Sequence, residues 1–202
     1  MHPFTTDRLL LRPLEAADAP GMFALDSNPA VRRYLDGIGG PQAASPADSR
    51  ATIEFIQAQY AAHGIGRWAV LLRATGEFMG WAGLKLVAGP VNGQHNFYDL
   101  GYRFIPRYWG QGYGFEAAQA WLAYGFEVLK LPRVCAYADV ENAGSRRILE
   151  KIGLKSGGAF EENGTTCMWY ETKNVAVGQR LIGKKKAAVP QNDRVAQSSG
   201  VG

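Results

Sequence analysis

The residues best suited to chemistry form one run, Trp109-Gly110-Gln111-Gly112-Tyr113-Gly114-Phe115-Glu116-Ala117. Glycines at alternate positions allow a tight turn whose amide N–H groups no side chain shields. A long helical pattern follows, so the electropositive end of a helix dipole faces the turn. Such a turn receives a diphosphate. Glycines in these places also cap or closely pack a helix, and the run alone does not separate the two uses. A P-loop does not fit, because no Gly-Lys-Ser/Thr follows. A Rossmann opening fits poorly too, because the run follows a fourth strand pattern instead of opening a first βαβ unit.

A second constellation lies downstream, from Asp139 to Leu154, with Asn142-Ala143-Gly144-Ser145 ahead of Lys151-Ile152-Gly153-Leu154. Cys135 precedes it, but no histidine neighbours that thiol in a recognisable motif, so a covalent acyl-cysteine route is set aside. His2, His63 and His95 fall at a terminus, a helix end and a loop, where surface roles suit them. Cys135 and Cys167 match no metal-ligand spacing, so no metal site is expected and both read as reduced, packed thiols.

Together, in this order and spacing, the two constellations resemble the GNAT superfamily of acetyl-CoA-dependent N-acetyltransferases, and most of all its RimJ/RimL-like branch. The likeness takes in Thr6-Asp7-Arg8-Leu9-Leu10-Leu11-Arg12, the strand Leu100-Gly101-Tyr102 and the closing hairpin, roughly residues 5–172. It implies acetyl-CoA as cofactor, its diphosphate held mainly by the backbone amides of Gly110, Gln111, Gly112, Tyr113 and Gly114. Trp109 stands first in this motif, where many members have Arg or Gln; packing over the turn is its alternative role. Asn142 would hydrogen-bond the pantetheine arm or end the strand with an Asx-type turn.

The chemistry so implied is direct attack of a neutral amine on a thioester, with no covalent enzyme intermediate. An amine arrives mostly protonated, its reference pKa being about 7.7–8.0 for an α-amine and about 10.4 for lysine. A carboxylate must then drain the proton, usually through water. By the resemblance Asp99 is that base; a solvated strand-end charge is its alternative, and Asp139, Glu161 and Glu162 are reserves. Where several members use a tyrosine to protonate the leaving thiolate, this chain has Leu149, which leaves Ser145 as the donor, unless it simply caps its helix. Arg146 or Arg147 could touch the diphosphate. Asp26, Tyr34, Asp36, Tyr60, Glu161 and Glu162 are expected among the acceptor-cleft residues, where acids would suit a cationic amine. The acceptor is a protein N-terminal α-amine or a small-molecule amine, and a non-catalytic CoA-binding module is the alternative from another class.

Elements that position these groups follow from pattern. Asp7–Leu14 reads as a strand, Glu15–Asp26 as a short helix, Ala30–Leu35 as a further helical piece, and Pro46–His63 as a helix closed by Gly64. Arg67–Arg73 and Glu77–Leu86 form a hairpin, and Phe97–Ile105 is a strand ended by Pro106. Gly112–Leu129 is a helix with an apolar stripe, Arg133–Ala138 a strand, and Ser145–Ile152 a short helix ended by Gly153. Leu154–Phe160 and Thr165–Glu171 form a hairpin turning at Asn163-Gly164. The fold class is α/β or α+β, with a mixed, mainly antiparallel central sheet flanked by helices, as in a GNAT-like fold.

Composition bounds the reading. The 202 residues are 47% hydrophobic and 20% charged, enough to bury one sizeable core. No apolar run spans a membrane and no export signal opens the chain, so a cytoplasmic protein is expected. The net charge of +4 lies in residues 173–202, which hold six basic residues against the single acid Asp193. That segment carries +5 and residues 1–172 carry −1, so direct nucleic-acid binding is not expected of the body. Residues 1–172 read as the domain and 173–202 as a basic, flexible tail.

Overall fold

The computed structural model describes residues 2–35, 37–38 and 43–174. The chain opens with a short strand, β1 (Phe4–Thr5), followed by β2 (Leu9–Pro13), in which Leu9 and Leu11 point into the core. The helix expected over 15–26 divides into a 3-10 turn, Ala16–Asp18, and α1 (Ala19–Asp26). Pro20 lacks an N–H and fits only the first turn of an α-helix. Arg12 grips the Asp18 carboxylate with both guanidinium nitrogens, at 2.7 and 2.8 Å, which fixes the break.

A short α2 (Pro29–Arg32) precedes α3 (Pro46–His63). Ser45 and Asp48 form a reciprocal capping box at the start of α3, and Gly64 ends it at φ +66°. The hairpin β3 (Arg67–Leu72) and β4 (Phe78–Val87) then leads to β5 (Phe97–Phe104). Next come α4 (Tyr113–Glu127), β6 (Arg133–Asp139), α5 (Ala143–Lys151), β7 (Lys155–Glu162) and β8 (Thr165–Lys173).

The strands form one sheet in the order β1-β2-β3-β4-β5-β6-β8-β7. Every neighbouring pair is antiparallel except β5 and β6, which run parallel and share one paired position, Asp99 opposite Cys135. Past that point no ladder joins them, and the sheet opens. Both sides of the sheet are covered. Trp68, Val70, Ala82, Leu84, Val134 and Ala136 pack under α4, whose Ala117, Ala118 and Trp121 are fully buried. Ala69 and Leu71 pack on the other side against Met22 and Leu25 of α1 and Ile53 and Ile56 of α3. Trp68 and Trp121 meet edge to face at 5.0 Å, and truncating either to alanine costs about 3–5 kcal/mol.

Strand β1 was not anticipated. Two residues carry no periodicity; the strand exists because Phe4 stacks on Tyr124 at 5.3 Å and pairs with Leu11. At the other end the fold continues past the expected boundary of 172. Lys173 closes β8, and Asn174 is buried, its amides bonded to Pro132 O and Phe126 O. The rest of the expected tail, Lys184-Lys185-Lys186 included, lies outside the described residues.

Candidate active site

Between β5 and α4 the chain makes the glycine turn. Gly110 and Gly112 both have positive φ, +72° and +83°, and no side chain caps α4. The first amides of the helix therefore have no partner within it and point out of its positive end. Gly110, Gln111 and Gly112 are exposed. Gly114 serves packing as well, since a Cβ there would lie 3.1 Å from Ile148 of α5. Trp109 is 45% exposed while its indole N–H donates to Phe104 O at 2.7 Å, so it is anchored at its edge and open at its face.

The back of the turn is tied down by groups to which the sequence reading assigned no role. Arg8 donates to Gln111 O at 3.0 Å, pairs with Glu116 at 2.7 Å and lies over the Tyr113 ring at 4.3 Å. Burial would raise the Glu116 carboxyl, but hydrogen bonds from the Thr6 hydroxyl and from the Arg8 amide and guanidinium outweigh it and hold the group below its ordinary value. Trp109, Gly110, Gly112 and Gly114 border a groove of about 490 Å³, together with Phe115, Gly144 and Ile148.

Asn142 is the N-cap of α5: its Oδ1 accepts from Ser145 N at 3.0 Å. The cap expected of Ser145 thus belongs to Asn142, the helix starts two residues earlier than expected, and the Ser145 hydroxyl is left for other work. Tyr102 of β5 reaches across the opening, donating to Ser145 O at 3.0 Å, with its hydroxyl 3.1 Å from Ser145 Oγ. Burial pushes the Tyr102 phenol well above its ordinary value. Tyr102 was legible only as part of a strand motif; its partner stands 43 positions away. Arg146 turns elsewhere, to Tyr170 Oη and Val140 O, and Arg147 is exposed.

The opening between β5 and β6 leads to a second cavity of about 770 Å³ between the sheet, α1 and α3. Asp99 lies in it, but buried and bound to Arg67, whose other nitrogen donates to Asp99 O at 2.8 Å and to Gly83 O. It is therefore no solvated strand-end charge. Gly101 makes this pair possible: a Cβ there would lie 2.6 Å from the guanidinium, so only glycine leaves the slot. A second pair, Arg103 with Asp26 at 2.5 Å, lies on the same side, and Trp81 carries both guanidinium groups over its ring, at 5.3 and 5.0 Å. Asp139 borders the cavity beside Asn142 and Ser145, one carboxylate oxygen accepting Glu141 N at 2.7 Å.

Of the expected acceptor-cleft residues, Asp26 and Tyr34 border this cavity. Tyr60, Glu161 and Glu162 do not. The Tyr60 hydroxyl is held by Arg67 O and Leu14 N, and burial raises it to about 12. Glu161 accepts from Thr166 at 2.6 Å. Asp36 lies outside the described residues. Burial lifts the Cys135 and Cys167 thiols to about 11 each, far from reactive thiolates.

Comparison with known proteins agrees with this geometry. Residues 8–155 match the family model of the acetyltransferase (GNAT) domain. The N-acetyltransferase YoaA of Bacillus subtilis (strain 168) is 33% identical over 164 residues, covering 79% of this chain and 89% of that protein. A GNAT-family acetyltransferase structure from Bacillus anthracis superposes with a TM-score of 0.70 at 26% identity, covering 86% of this chain and 99% of that one. The ribosomal-protein-S5-alanine acetyltransferase of Vibrio fischeri, at 15% identity, TM-score 0.67 and coverage of 86% and 97%, shares the fold. With the glycine turn, the open sheet and the matched domain in agreement, the chain belongs to the GNAT family and is an acetyl-CoA-dependent acetyltransferase.

Proposed function

We propose that the protein transfers the acetyl group directly to the primary amine of a small acceptor seated in the larger cavity. One observation carries this reading: the two cavities share Tyr34, Leu35, Tyr102, Arg103, Asn142 and Ser145 on their borders, so a donor in one and an acceptor in the other meet there. The charged floor of the acceptor cavity, with Arg67 and Asp99 both buried, suits a small molecule that is enclosed better than a peptide whose chain must leave again.

Acetyl-CoA supplies the thioester when bound. The turn fits it, since the exposed glycines and the uncapped start of α4 offer unshielded amides. The amides of residues 110–114 hold the diphosphate, and Trp109 lays its open face beside them. Asn142 spends its Oδ1 on the helix cap and keeps its Nδ2 for a carbonyl of the pantetheine arm. Ser145 hydrogen-bonds the departing thiolate, its own oxygen supported by Tyr102. A thiol of pKa about 8.5 leaves as a fairly stable thiolate, so a hydrogen bond suffices.

Proton removal falls to Asp139, through water. Protonating Asp99 would strand the Arg67 guanidinium as a buried charge without its partner, a cost of several kcal/mol. Among the described residues Asp139 has no such partner, and it stands beside Asn142 and Ser145 on the cavity border, where the amine must lie. Asp99 then acts by holding Arg67 in place. The setting is cytoplasmic, in keeping with two buried, unpaired thiols. No helix among the described residues is long and apolar enough to cross a membrane.

Acetyl-CoA turnover measured with a panel of small amines and of peptides with free N-termini tests the reading. Small amines should be acetylated with the higher kcat/KM. Preference for peptides would restore the N-terminal α-amine as acceptor, and CoA binding without any transfer would point to a binding module.

A further inference from the structure

Among the described residues, the cations on the floor of the acceptor cavity are not all paired. Arg67 is paired with Asp99 and Arg103 with Asp26. The two other carboxylates on the described border, Asp48 and Asp139, accept backbone amides, Asp48 from Ala44 and Ser45 and Asp139 from Glu141. Lys85 remains. It lies on β4 directly opposite Asp99 of β5, so both side chains rise from the same side of the sheet, and it borders the cavity half-buried. Among the described residues it has no ion pair or hydrogen bond. Among the described residues, then, Arg67 and Arg103 each pair with a carboxylate and Lys85 pairs with none.

We infer that Lys85 is the anchor for an anionic group of the acceptor, so that the substrate class is a small amine bearing a carboxylate. The reading rests on the small-amine proposal above and deepens it. The acceptor's amine would lie at the junction beside Ser145 while its carboxylate meets the Lys85 ammonium at the floor. A neutral or purely cationic amine would leave that ammonium uncompensated in a half-buried site, whereas a carboxylate supplies the missing partner and a charge-assisted hydrogen bond. Burial, together with the neighbouring charges of Arg67 and Arg103, lowers the Lys85 ammonium from its ordinary value against partial support from Asp99. Asp26, one of the acids expected to attract the amine, is committed to Arg103.

Steady-state kinetics with ω-amino acids of increasing length (β-alanine, 4-aminobutyrate, 6-aminohexanoate) and with their amides provide the test. At the matching length the acid should exceed its amide by about tenfold in kcat/KM, the gain expected of one charge-assisted contact. Lys85→Gln should raise KM for the acid by about that factor and change KM for the amide much less, while Lys85→Arg should recover part of the loss. Calorimetric binding of the N-acetylated acids and amides gives a readout that needs no turnover, and thermal midpoints show that the variants are folded. Acids bound more tightly than amides, with the difference lost in Lys85→Gln, supports the anchor. Equal binding of acids and amides, or a preference untouched in a folded Lys85→Gln protein, overturns it even where amines are acetylated normally. Failure to acetylate any small amine would instead overturn the acceptor reading and leave the binding isotherms to decide on Lys85.

Discussion

The glycine turn and the acceptor floor are built by opposite means. The turn is made of backbone: glycines at positive φ, a helix start without a side-chain cap, and amides facing solvent, with ionic side chains only behind it at Arg8 and Glu116. The floor is made of side chains: Arg67 reaches from β3 to Asp99 of β5 past Gly101, and Arg103 of β5 reaches Asp26 of α1. A backbone site is tolerant of side chains and intolerant of conformation. A site of buried ion pairs is the reverse, since removing one charge strands another.

The largest test of this contrast is Arg67→Met. Leaving Asp99 buried without its partner should lower folding stability by about 3–5 kcal/mol, read from urea denaturation, and adding Asp99→Leu should recover much of it. If the single and double variants were equally unstable, the pair would not be the element that holds the floor.

Next comes Gly112→Val. A β-branched residue at φ +83° costs roughly 1–3 kcal/mol of strain and crowds the approach of the diphosphate, so affinity for acetyl-CoA should fall by about 100-fold in a calorimetric titration. Gln111→Ala should change it less than about twofold, because only its backbone belongs to the cradle. Similar effects of both substitutions would deny that the backbone carries the site.

Chemistry at the junction gives smaller effects. Asp139→Asn should lower kcat by about tenfold at neutral pH and recover as rising pH supplies neutral amine from solution, whereas Ser145→Ala should reduce kcat without moving that limb. A pH–rate profile in which Asp99→Asn, and not Asp139→Asn, shows this recovery would return the proton to Asp99.

Behind the turn, Glu116 has its carboxyl lowered in the folded state. Its contribution to stability is therefore present above its ordinary value of 4.5 and lost as pH falls through the lower folded value. Melting temperature against pH should fall more steeply in that acid range for the parent than for Glu116→Gln. Parallel curves would mean that the Arg8–Glu116 contact does not stabilise the turn. The smallest effect is expected from removing residues 184–202, which should leave both melting temperature and acetylation of a small amine unchanged; a drop in either would show that this segment packs on the body.

Much of this molecule could be read from local pattern. Apolar, β-prone runs bounded by turn residues placed the strands β2 to β8 within a few residues, and the 3.6-residue stripe of Ala117, Ala118 and Trp121 marked α4. Glycine spacing located the turn, because positive φ is a demand on a single residue and leaves its mark there. The strand β1 and the split of the first helix escaped, since both depend on partners elsewhere: Phe4 on Tyr124, and Asp18 on Arg12.

The roles inside the acceptor cavity were decided only by tertiary structure. Asp99 reads along the chain as the general base or a solvated strand-end charge, and nothing near it announces Arg67, 32 positions away, or the slot that Gly101 opens for it. Lys85 belongs to no motif in the sequence, and only the register sets it opposite Asp99, with Asp26 and Asp99 already paired. Backbone conformation is written in the residues that adopt it. Whether a charge is spent or free depends on which other charges the fold brings within reach, and the register of three adjacent strands settles that.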